Sequence, residues 1–179
     1  MEFKENKFKG LILISHKVIF DHRGYFKETF LKNKLQKLVD YNIDFCQENS
    51  VISQKNVLRG LHYQKEPFIQ SKLISVINGK ILDVVVDIRE NSRTYGKFFS
   101  YILSAKDHKS LFIPKGFAHG YLTLSKTATV NYKVDNYYNR QTERGIMYND
   151  EFLKIDWGVK ENDLIISEKD NNHKPFKWK

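Results

Sequence analysis

The sequence predicts a mainly β protein in the form of an antiparallel sandwich or barrel. Short segments rich in β-branched and aromatic residues follow one another, with short turns between them. In "ILDVVVDIR" the side chains alternate, so that Leu82, Val84 and Val86 face one side and the intervening residues face the other. Asn78-Gly79 stands just before this segment and predicts a type I′ hairpin turn, because both central residues of that turn need a positive φ.

Taken in order, the segments predict the following elements. "LILISHKVIF" and "YFKETF" are strands that flank a turn at "DHRG". "LKNKLQKLVDYN" carries Leu31, Leu35 and Leu38 at helical spacing and is the strongest helix candidate. Asp83 and Asp87 fall inside a predicted strand, which indicates a partly polar lumen of the kind that a ligand-holding barrel needs. Later strands are predicted for "FCQENSVIS", "LRGLHYQ", "QSKLISVI", "KFFSYILS", "SLFIPKGFAHGYLTLS" and "ATVNYKVDNYY".

Length and composition are those of a folded chain with one core. The chain has 179 residues, 41% apolar and 14% aromatic, and we predict a single domain over residues 1–179. No apolar run approaches the length of a membrane helix, and "MEFKENKFKG" lacks the apolar segment of a signal peptide. Cys46 is the single cysteine, so an intramolecular disulfide is excluded and a cytoplasmic location is the default expectation.

The net charge of +9 comes from 30 Lys and Arg against 21 Asp and Glu. Such a balance raises nucleic acid as a possible partner. The excess is mostly lysine, 24 Lys against 6 Arg, and it is spread along the chain without a dense cluster. Solvated surface lysine explains this pattern better, so we predict no nucleic-acid partner. An anionic small substrate would still be attracted by the electrostatic field of this positive net charge.

Five stretches contain polar residues that strand propensity alone does not select: "LRGLHYQ", "QSKL", "IPKGFAHG", "VNYKVDNYY" and "SEKD". Each also has a purely structural interpretation. His62 can be a core histidine bonded to a backbone carbonyl, and Tyr132 a core aromatic with its hydroxyl at the rim. Lys72 can reach solvent along its stem, and Asp170 can cap a turn. The functional interpretation therefore rests on the whole set.

"IPKGFAHG" resembles the second cupin motif, P-x-G-x-x-H, through Pro114, Gly116 and His119. In cupins that histidine is a metal ligand. The first cupin motif has H-x-H and then a glutamate, but here Gln64 stands at the second histidine and Lys72 at the glutamate. A protonated lysine is not a ligand and repels a divalent cation. The resemblance implies a cupin-type antiparallel jelly roll with a few short helices and without its metal site.

A metal-free cavity that keeps a histidine and gains a lysine suits proton transfer next to a carbonyl group. Removing a proton α to a ketone needs a base of near-neutral pKa, which His62 supplies. The developing enolate oxygen needs a cation placed in advance, and Lys72 serves. Inversion needs an acid on the opposite face, such as Tyr132. A carboxylate, Asp170, completes the set by fixing the tautomer of the base and stabilising its imidazolium.

Together the blocks resemble the dTDP-4-dehydrorhamnose 3,5-epimerase family, cofactor-free cupin-fold enzymes of activated-sugar biosynthesis. The similarity runs from about Gly10 to Asp170. It implies that His62 is the base, paired with Asp170, and that Tyr132 is the acid on the far face of the sugar ring. Its markers are "DHRGYFKETF", "FCQENSVIS", "LRGLHYQ", "QSKLISVINGKILDVVVDIR", "LFIPKGFAHGYLTLS" and "RGIMYNDEFLKIDW".

The same resemblance implies the substrate-binding residues. Lys72 and His119 are expected near the C4 ketone, and Arg59 on the diphosphate. Arg23 and Glu28 are expected to help bind the nucleotide, with part of their region crossing between the subunits of a homodimer. The remaining residues implied to line the substrate site are Gln47, Asn49, Glu143 and Lys169.

The family reaction inverts C3, C5 or both in a nucleoside-diphosphate 4-keto-6-deoxy sugar through an enolate conjugated to C4. The usual substrate is dTDP-4-keto-6-deoxyglucose, and some relatives use GDP-linked 4-keto sugars, including heptoses. The resemblance thus implies a role in making surface-polysaccharide sugars. Two alternatives stay open: a metal-dependent cupin isomerase or oxygenase that uses His62 and His119, and a non-catalytic sugar-binding cupin.

Overall fold

A computed structural model describes residues 1–177, so the last two residues of the predicted domain, Trp178 and Lys179, lie outside the described part. Two short α-helices are described, α1 (Lys32–Gln36) and α2 (Glu168–Asn171). The strands of the described residues are β1 (Glu2–Glu5), β2 (Ile12–Ser15), β3 (Val18–Asp21), β4 (Gly24–Lys27), β5 (Gln47–Gln54), β6 (Val57–Gln64), β7 (Lys72–Asn78), β8 (Lys80–Asp87), β9 (Phe98–Ser104), β10 (Lys109–Ile113), β11 (Phe117–Thr123), β12 (Thr127–Val134), β13 (Glu143–Gly145) and β14 (Ile165–Ile166).

The strands of residues 1–177 form two main sheets. The first sheet has the order β1-β2-β10-β7-β12-β5, and the second has the order β13-β6-β11-β8-β9. All of these pairings are antiparallel, while β14 adds to β6 in parallel. Strands β3 and β4 form a separate two-stranded sheet. The predicted mainly β jelly roll with a few short helices is confirmed.

The alternation predicted for β8 is confirmed by the two cores that it joins. Ile81 and Val85 pack in the cluster between the sheets, which also contains Ile74 of the first sheet. Val84 and Val86 pack on the outer face of the second sheet, against residues of the C-terminal segment. Burial on both faces explains why this strand is apolar along most of its length.

The predicted hairpin at Asn78-Gly79 is wrong. Strand β7 lies in the first sheet and β8 in the second, so the two residues form a corner that leads from one sheet to the other. Gly79 has φ +80°, whereas Asn78 is not among the residues with positive φ. A side chain at Gly79 would overlap the backbone oxygen of Thr127. The glycine is therefore required by the close approach at the corner.

The N-terminal third is less regular than predicted. "LILISHKVIF" divides into β2 and β3, because the chain leaves the first sheet after Ser15 and enters the separate hairpin. The turn at "DHRG" is confirmed by the pairing of Asp21 with Gly24. Helix α1 has only five residues; Leu35 is buried against the first sheet, but Leu38 is 47% exposed. No helix within residues 1–177 is long and apolar enough to cross a membrane.

Candidate active site

A cleft of about 420 Å³ opens between the two sheets. Its walls include His62 of β6 and Tyr132 of β12, which belong to opposite sheets. Eight of the twelve site residues predicted from the sequence line this cleft. They are Arg59, His62, Lys72, His119, Tyr132, Glu143, Lys169 and Asp170.

His62 is held by Asp170. The distance from His62 Nε2 to Asp170 Oδ1 is 2.7 Å, and Asp170 Oδ2 accepts a hydrogen bond of 3.0 Å from the backbone N–H of Gly60. Because a carboxylate only accepts, Nε2 of His62 carries the hydrogen. Nδ1 then keeps the lone pair that can take a proton from a substrate carbon.

Strand β14 and helix α2 place Asp170 beside His62, although the two residues are 108 positions apart in the chain. Strand β14 adds in parallel to β6, with Ile166 opposite Leu58. Ser167 then caps α2 by accepting a hydrogen bond from the backbone N–H of Asp170. The short helix turns the Asp170 side chain toward β6, where only 5% of it is exposed.

The surroundings of Asp170 keep it ionised. Burial alone would raise the pKa of its carboxyl group, but the hydrogen bond and charge of His62, together with the Gly60 N–H, lower that pKa to about 2. A carboxylate that stays charged can stabilise the imidazolium that forms when His62 accepts a proton. The pair therefore has the geometry and charge of a general base with its supporting acid group.

Lys72 and His119 line the cleft together. Burial lowers the pKa of Lys72 to about 8, against the opposing charges of Asp83 and Glu143. Its Nζ is 3.4 Å from the backbone oxygen of His62, so the ammonium group lies next to the base. The His119 ring is held by Asp83, with Nε2 to Oδ2 at 2.9 Å, and burial lowers the pKa of this histidine.

Tyr132 and Arg59 occupy the cleft from opposite sheets. Burial raises the pKa of the Tyr132 hydroxyl, while the charge of Arg59 lowers it, with burial the larger effect. The phenol is therefore protonated at neutral pH and can serve as an acid. Arg59 is held by a hydrogen bond of 3.0 Å from its Nε to Ser53 Oγ.

Two glycines let β6 and β11 approach closely beside the cleft. A Cβ at Gly60 would lie 2.6 Å from the Gly120 Cα, and a Cβ at Gly120 would lie 2.7 Å from the Arg59 oxygen. The strand register shifts at this point, between His119 and Tyr121. His119 then pairs directly with His62. The glycine that interrupts "LRGLHYQ" is thus part of what sets the two histidines side by side.

At one edge of the cleft, Glu143 joins two other side chains. Its Oε2 accepts hydrogen bonds from Lys169 Nζ at 2.6 Å and from the Tyr138 hydroxyl at 2.9 Å. Burial raises the pKa of Glu143, but these hydrogen bonds lower the pKa by more than burial raises it, so the net shift is downward. The predicted residues Glu143 and Lys169 therefore act as one ion pair at this edge.

Comparison with known proteins identifies the family. The sequence profile of the dTDP-4-dehydrorhamnose 3,5-epimerase family matches residues 5–177. The dTDP-4-dehydrorhamnose 3,5-epimerases of Shigella flexneri and Methanothermobacter thermautotrophicus are 40% and 44% identical to this chain, each over 98% of it and over 96% and 94% of their own lengths. The chain belongs to the dTDP-4-dehydrorhamnose 3,5-epimerase family. It is therefore an isomerase, as the sequence predicted.

Solved epimerase structures have the same fold. The dTDP-4-dehydrorhamnose 3,5-epimerase of Elizabethkingia anophelis superposes with a TM-score of 0.94 at 43% identity, covering 98% of this chain and 96% of that one. An epimerase of Legionella pneumophila in complex with dTDP-4-keto-L-rhamnose superposes with a TM-score of 0.92 at 40% identity, covering 97% and 92%. A 3′-monoepimerase of Streptomyces bikiniensis reaches a TM-score of 0.87 at 27% identity, covering 95% and 85%.

Four residues predicted for the epimerase site do not line the cleft of the described chain. Arg23 is exposed and bonded to Asp21 of its own hairpin. Glu28 follows the same hairpin and is also exposed. Gln47 and Asn49 lie on the edge strand β5, where the Gln47 amide donates to Asn49 Oδ1 at 2.9 Å. Asn49 pairs with Tyr132, the predicted acid, so Gln47 and Asn49 lie on the strand next to that of the acid.

Gln64 has a structural role in this epimerase. Its Nε2 donates to the backbone oxygens of Phe68 and Tyr137, and its Oε1 accepts from the Asn139 N–H. The side chain is 6% exposed and joins two loops. The position at which a cupin has its second histidine is thus occupied by a loop-bonding amide.

Sequence reasoning missed several residues of the epimerase cleft. Val51, Tyr121 and Tyr138 line it and were not predicted. Asp83 carried a sequence signal, since a carboxylate within a strand indicated a polar lumen, but its partner His119 was not foreseen. His173 lies against His62, with ring centroids 5.3 Å apart, and carried no signal in the sequence.

Proposed function

We propose that this chain is a cofactor-independent epimerase that inverts C3, C5 or both in a dTDP-linked 4-keto-6-deoxy sugar. The observation that carries the proposal is that His62, paired with Asp170, and Tyr132 lie on opposite sheets and line one cleft. Inversion requires removal of a proton on one face of a carbon and return on the other. A base and an acid on opposite walls meet that need.

The proposed reaction moves one proton off the substrate and another one on. Nδ1 of His62 takes the proton from the carbon next to the ketone, and the C–H electron pair becomes the enolate. The ammonium group of Lys72 stabilises the negative charge on the enolate oxygen. Tyr132 then donates its phenolic proton to the opposite face of the same carbon. Solvent restores the starting protonation of both side chains.

The choice of dTDP follows the relatives. The Legionella pneumophila structure contains dTDP-4-keto-L-rhamnose, and a Bacillus anthracis relative, 40% identical, was solved with TDP and pyrophosphate bound. We propose that Arg59 contacts the diphosphate and that His119 lies near the C4 oxygen. A GDP-linked 4-keto hexose or heptose stays an alternative substrate. Inversion of C3 alone also stays open, because the Streptomyces bikiniensis relative is a 3′-monoepimerase.

We further propose a homodimer in which the β3–β4 hairpin of one subunit completes the site of the other. The hairpin exposes large apolar side chains, with Phe20 70% exposed and Phe26 64% exposed. Such side chains are better explained by a covering surface than by solvent. In the dimer, Arg23 and Glu28 would reach the nucleotide at the partner's cleft, and Gln47 and Asn49 would lie at its mouth. A cytoplasmic location, a single domain over residues 1–179 and the absence of a nucleic-acid partner stay predictions from the sequence.

The experiment is NMR in D₂O with the purified chain and a panel of dTDP- and GDP-linked 4-keto hexoses and heptoses. We expect deuterium at C3, C5 or both in a dTDP-linked 4-keto-6-deoxy hexose, without added metal or cofactor. Incorporation only in a GDP-linked sugar would overturn the choice of nucleotide. Binding without any incorporation would favour a sugar-binding cupin, and exchange lost to a chelator and restored by a metal would favour a metal-dependent isomerase.

A further inference from the structure

His173 lies beside the His62–Asp170 pair and has no role in the proposed reaction. Its Nε2 is 3.4 Å from Asp170 Oδ1, and its ring stands at 89° to the His62 ring. Only 10% of its side chain is exposed. Within the described residues, Nε2 of His173 is a buried nitrogen without a hydrogen-bond partner.

The backbone around His173 is shaped to hold this ring. Gly145 of β13 pairs with His62, and a Cβ at Gly145 would overlap the His173 ring. One residue after Gly145 and one residue after His173, an isolated bridge between Ile146 and Lys174 holds the two segments together. The imidazole is therefore built into the second sheet beside the base.

Three potential ligand atoms converge here. One atom each from His62, Asp170 and His173 lies within 4.8 Å of the others. Two imidazoles and a carboxylate form a common zinc ligand set, with the fourth position left to water. With zinc–ligand distances of about 2.0–2.2 Å, two ligands of one tetrahedral zinc are about 3.3 Å apart. The 3.4 Å between His173 Nε2 and Asp170 Oδ1 already fits, and the 2.7 Å between His62 Nε2 and Oδ1 must widen by about 0.6 Å.

We propose that His62, Asp170 and His173 form an inhibitory site for a borderline divalent cation, with zinc as the best fit. This site is distinct from the cupin metal position, where Gln64 is bonded to two loops and Lys72 brings a positive charge. The positive charge of Lys169, which also lies near, is paired with Glu143.

The proposed effect on the reaction follows from which nitrogen the metal takes. Zinc on Nε2 of His62 displaces the proton that Nε2 shares with Asp170, and this proton goes to solvent. Nε2 of His62 then binds a divalent cation, where before it donated a hydrogen bond to the Asp170 carboxylate. Nδ1 becomes a weaker base because the metal withdraws electron density and the carboxylate no longer stabilises an imidazolium. Substrate can still enter, because the metal lies on the Asp170 side of the ring.

The binding test uses Zn²⁺ alone, with equilibrium dialysis of the full chain after treatment with a chelator. We expect one zinc ion per chain and an affinity at least about tenfold weaker in His173→Phe, which keeps an aromatic ring but removes the ligand. The matched control is His22→Phe at an exposed histidine, which should bind zinc as the wild type does. Equal zinc affinity in all three proteins would overturn the site. Circular dichroism checks the fold; if His173→Phe is misfolded, His173→Gln takes its place with the same expected result.

The inhibition test rests on the proposed epimerase function, whereas the binding test does not. Zinc should lower kcat of the wild type while KM stays unchanged, and a chelator should restore the rate. His173→Phe, compared with its own metal-free rate, should be much less sensitive. A purely competitive pattern, or equal sensitivity in His173→Phe, would overturn the inhibitory role. If no protein shows epimerase activity, the binding result alone decides the metal site.

Discussion

Asp170 occupies Nε2 of His62, at 2.7 Å, so Nδ1 is the nitrogen left to accept a proton. The aspartate is itself oriented by the Gly60 N–H and by the Ser167 cap of its helix. A ring held at one nitrogen by an ionised carboxylate has one tautomer and one orientation. The proposed base thus depends on a contact between residues 108 positions apart in the chain.

Replacing Asp170 by asparagine should remove this support without removing bulk. We expect kcat to fall by about 100-fold or more, because an amide neither fixes the useful tautomer nor stabilises an imidazolium. The measurement is the rate of C–H exchange, with Asp163→Asn as control, an exposed aspartate of the same C-terminal segment. A near-normal rate in Asp170→Asn would remove Asp170 from the mechanism.

Replacing Tyr132 by phenylalanine should separate the two halves of the reaction. His62 can still take the proton and exchange it with solvent, but no phenol is present to protonate the opposite face. We expect the rate of completed inversion to fall far more than the rate of solvent exchange, both followed by NMR in D₂O. Tyr137→Phe, at a tyrosine that is 62% exposed and does not line the cleft, is the matched control. Equal loss of both rates would contradict the assignment of Tyr132 as the acid.

Strands β6 and β11 set the histidines side by side only because two glycines allow close contact. Gly120→Ala places a Cβ 2.7 Å from the Arg59 backbone oxygen. We expect a loss of about 1–3 kcal/mol in the free energy of unfolding, together with lower kcat. The control is Gly158→Ala, which has open space around it and a φ of +71°. It should lose stability through backbone strain and keep its activity. Unchanged stability and activity in Gly120→Ala would show that the close contact is dispensable.

Two parts of the C-terminal segment are joined by Tyr148, whose hydroxyl donates to Glu161 Oε1 at 2.6 Å. Burial, with the charge and hydrogen bond of Glu161, raises the pKa of Tyr148 to about 12. In the unfolded chain the phenol loses its proton at about pH 10. The folded state therefore holds the proton more tightly, and stability should fall as the pH rises from about 10 to about 12. Urea unfolding at about pH 9 and about pH 11 should show a larger loss in the wild type than in Tyr148→Phe; equal losses would contradict this origin.

The elements that could be predicted are those whose signal is local. The alternation of β8 identified both of its faces, because period-two patterning records which side chains are buried. The hairpin at Asn78-Gly79 was mispredicted, because the same turn residues suit a corner between sheets and only distant pairing partners distinguish the two. Helix α1 is shorter than its leucine spacing suggested, since Leu38 finds no buried site.

The site divides in the same way. His62, Tyr132 and Asp170 stood out as polar residues in apolar surroundings, and the family resemblance assigned a role to each of them. The bond between His119 and Asp83 depends on the pairing of β11 with β8, which no local pattern encodes. His173 stayed hidden because an isolated histidine near a chain end has no periodicity to mark it. Contacts across the fold are thus what the sequence alone left undetermined.

At the scale of the whole molecule, the β3–β4 hairpin leaves large apolar side chains exposed, with Phe20 at 70% and Phe26 at 64%. If a second copy covers it, Phe26→Glu should convert a dimer to a monomer, because burying a carboxylate without a partner is costly. The same variant should weaken dTDP binding, since Arg23 and Glu28 would no longer reach the partner's cleft. Sedimentation and calorimetry measure the two effects. Lys126→Glu, in an exposed turn away from the hairpin, is the control. A monomer with full dTDP affinity would contradict the shared site.

The most direct test of the central claim is the rate at which His62→Ala exchanges the C3 and C5 hydrogens of dTDP-4-keto-6-deoxyglucose in D₂O. The wild type and the control Lys126→Ala, in an exposed turn away from the hairpin, should incorporate deuterium at C3, C5 or both, while His62→Ala, folded by circular dichroism, should incorporate none above the uncatalysed rate. Exchange in His62→Ala at a rate near that of the wild type would contradict the proposal that His62 is the base.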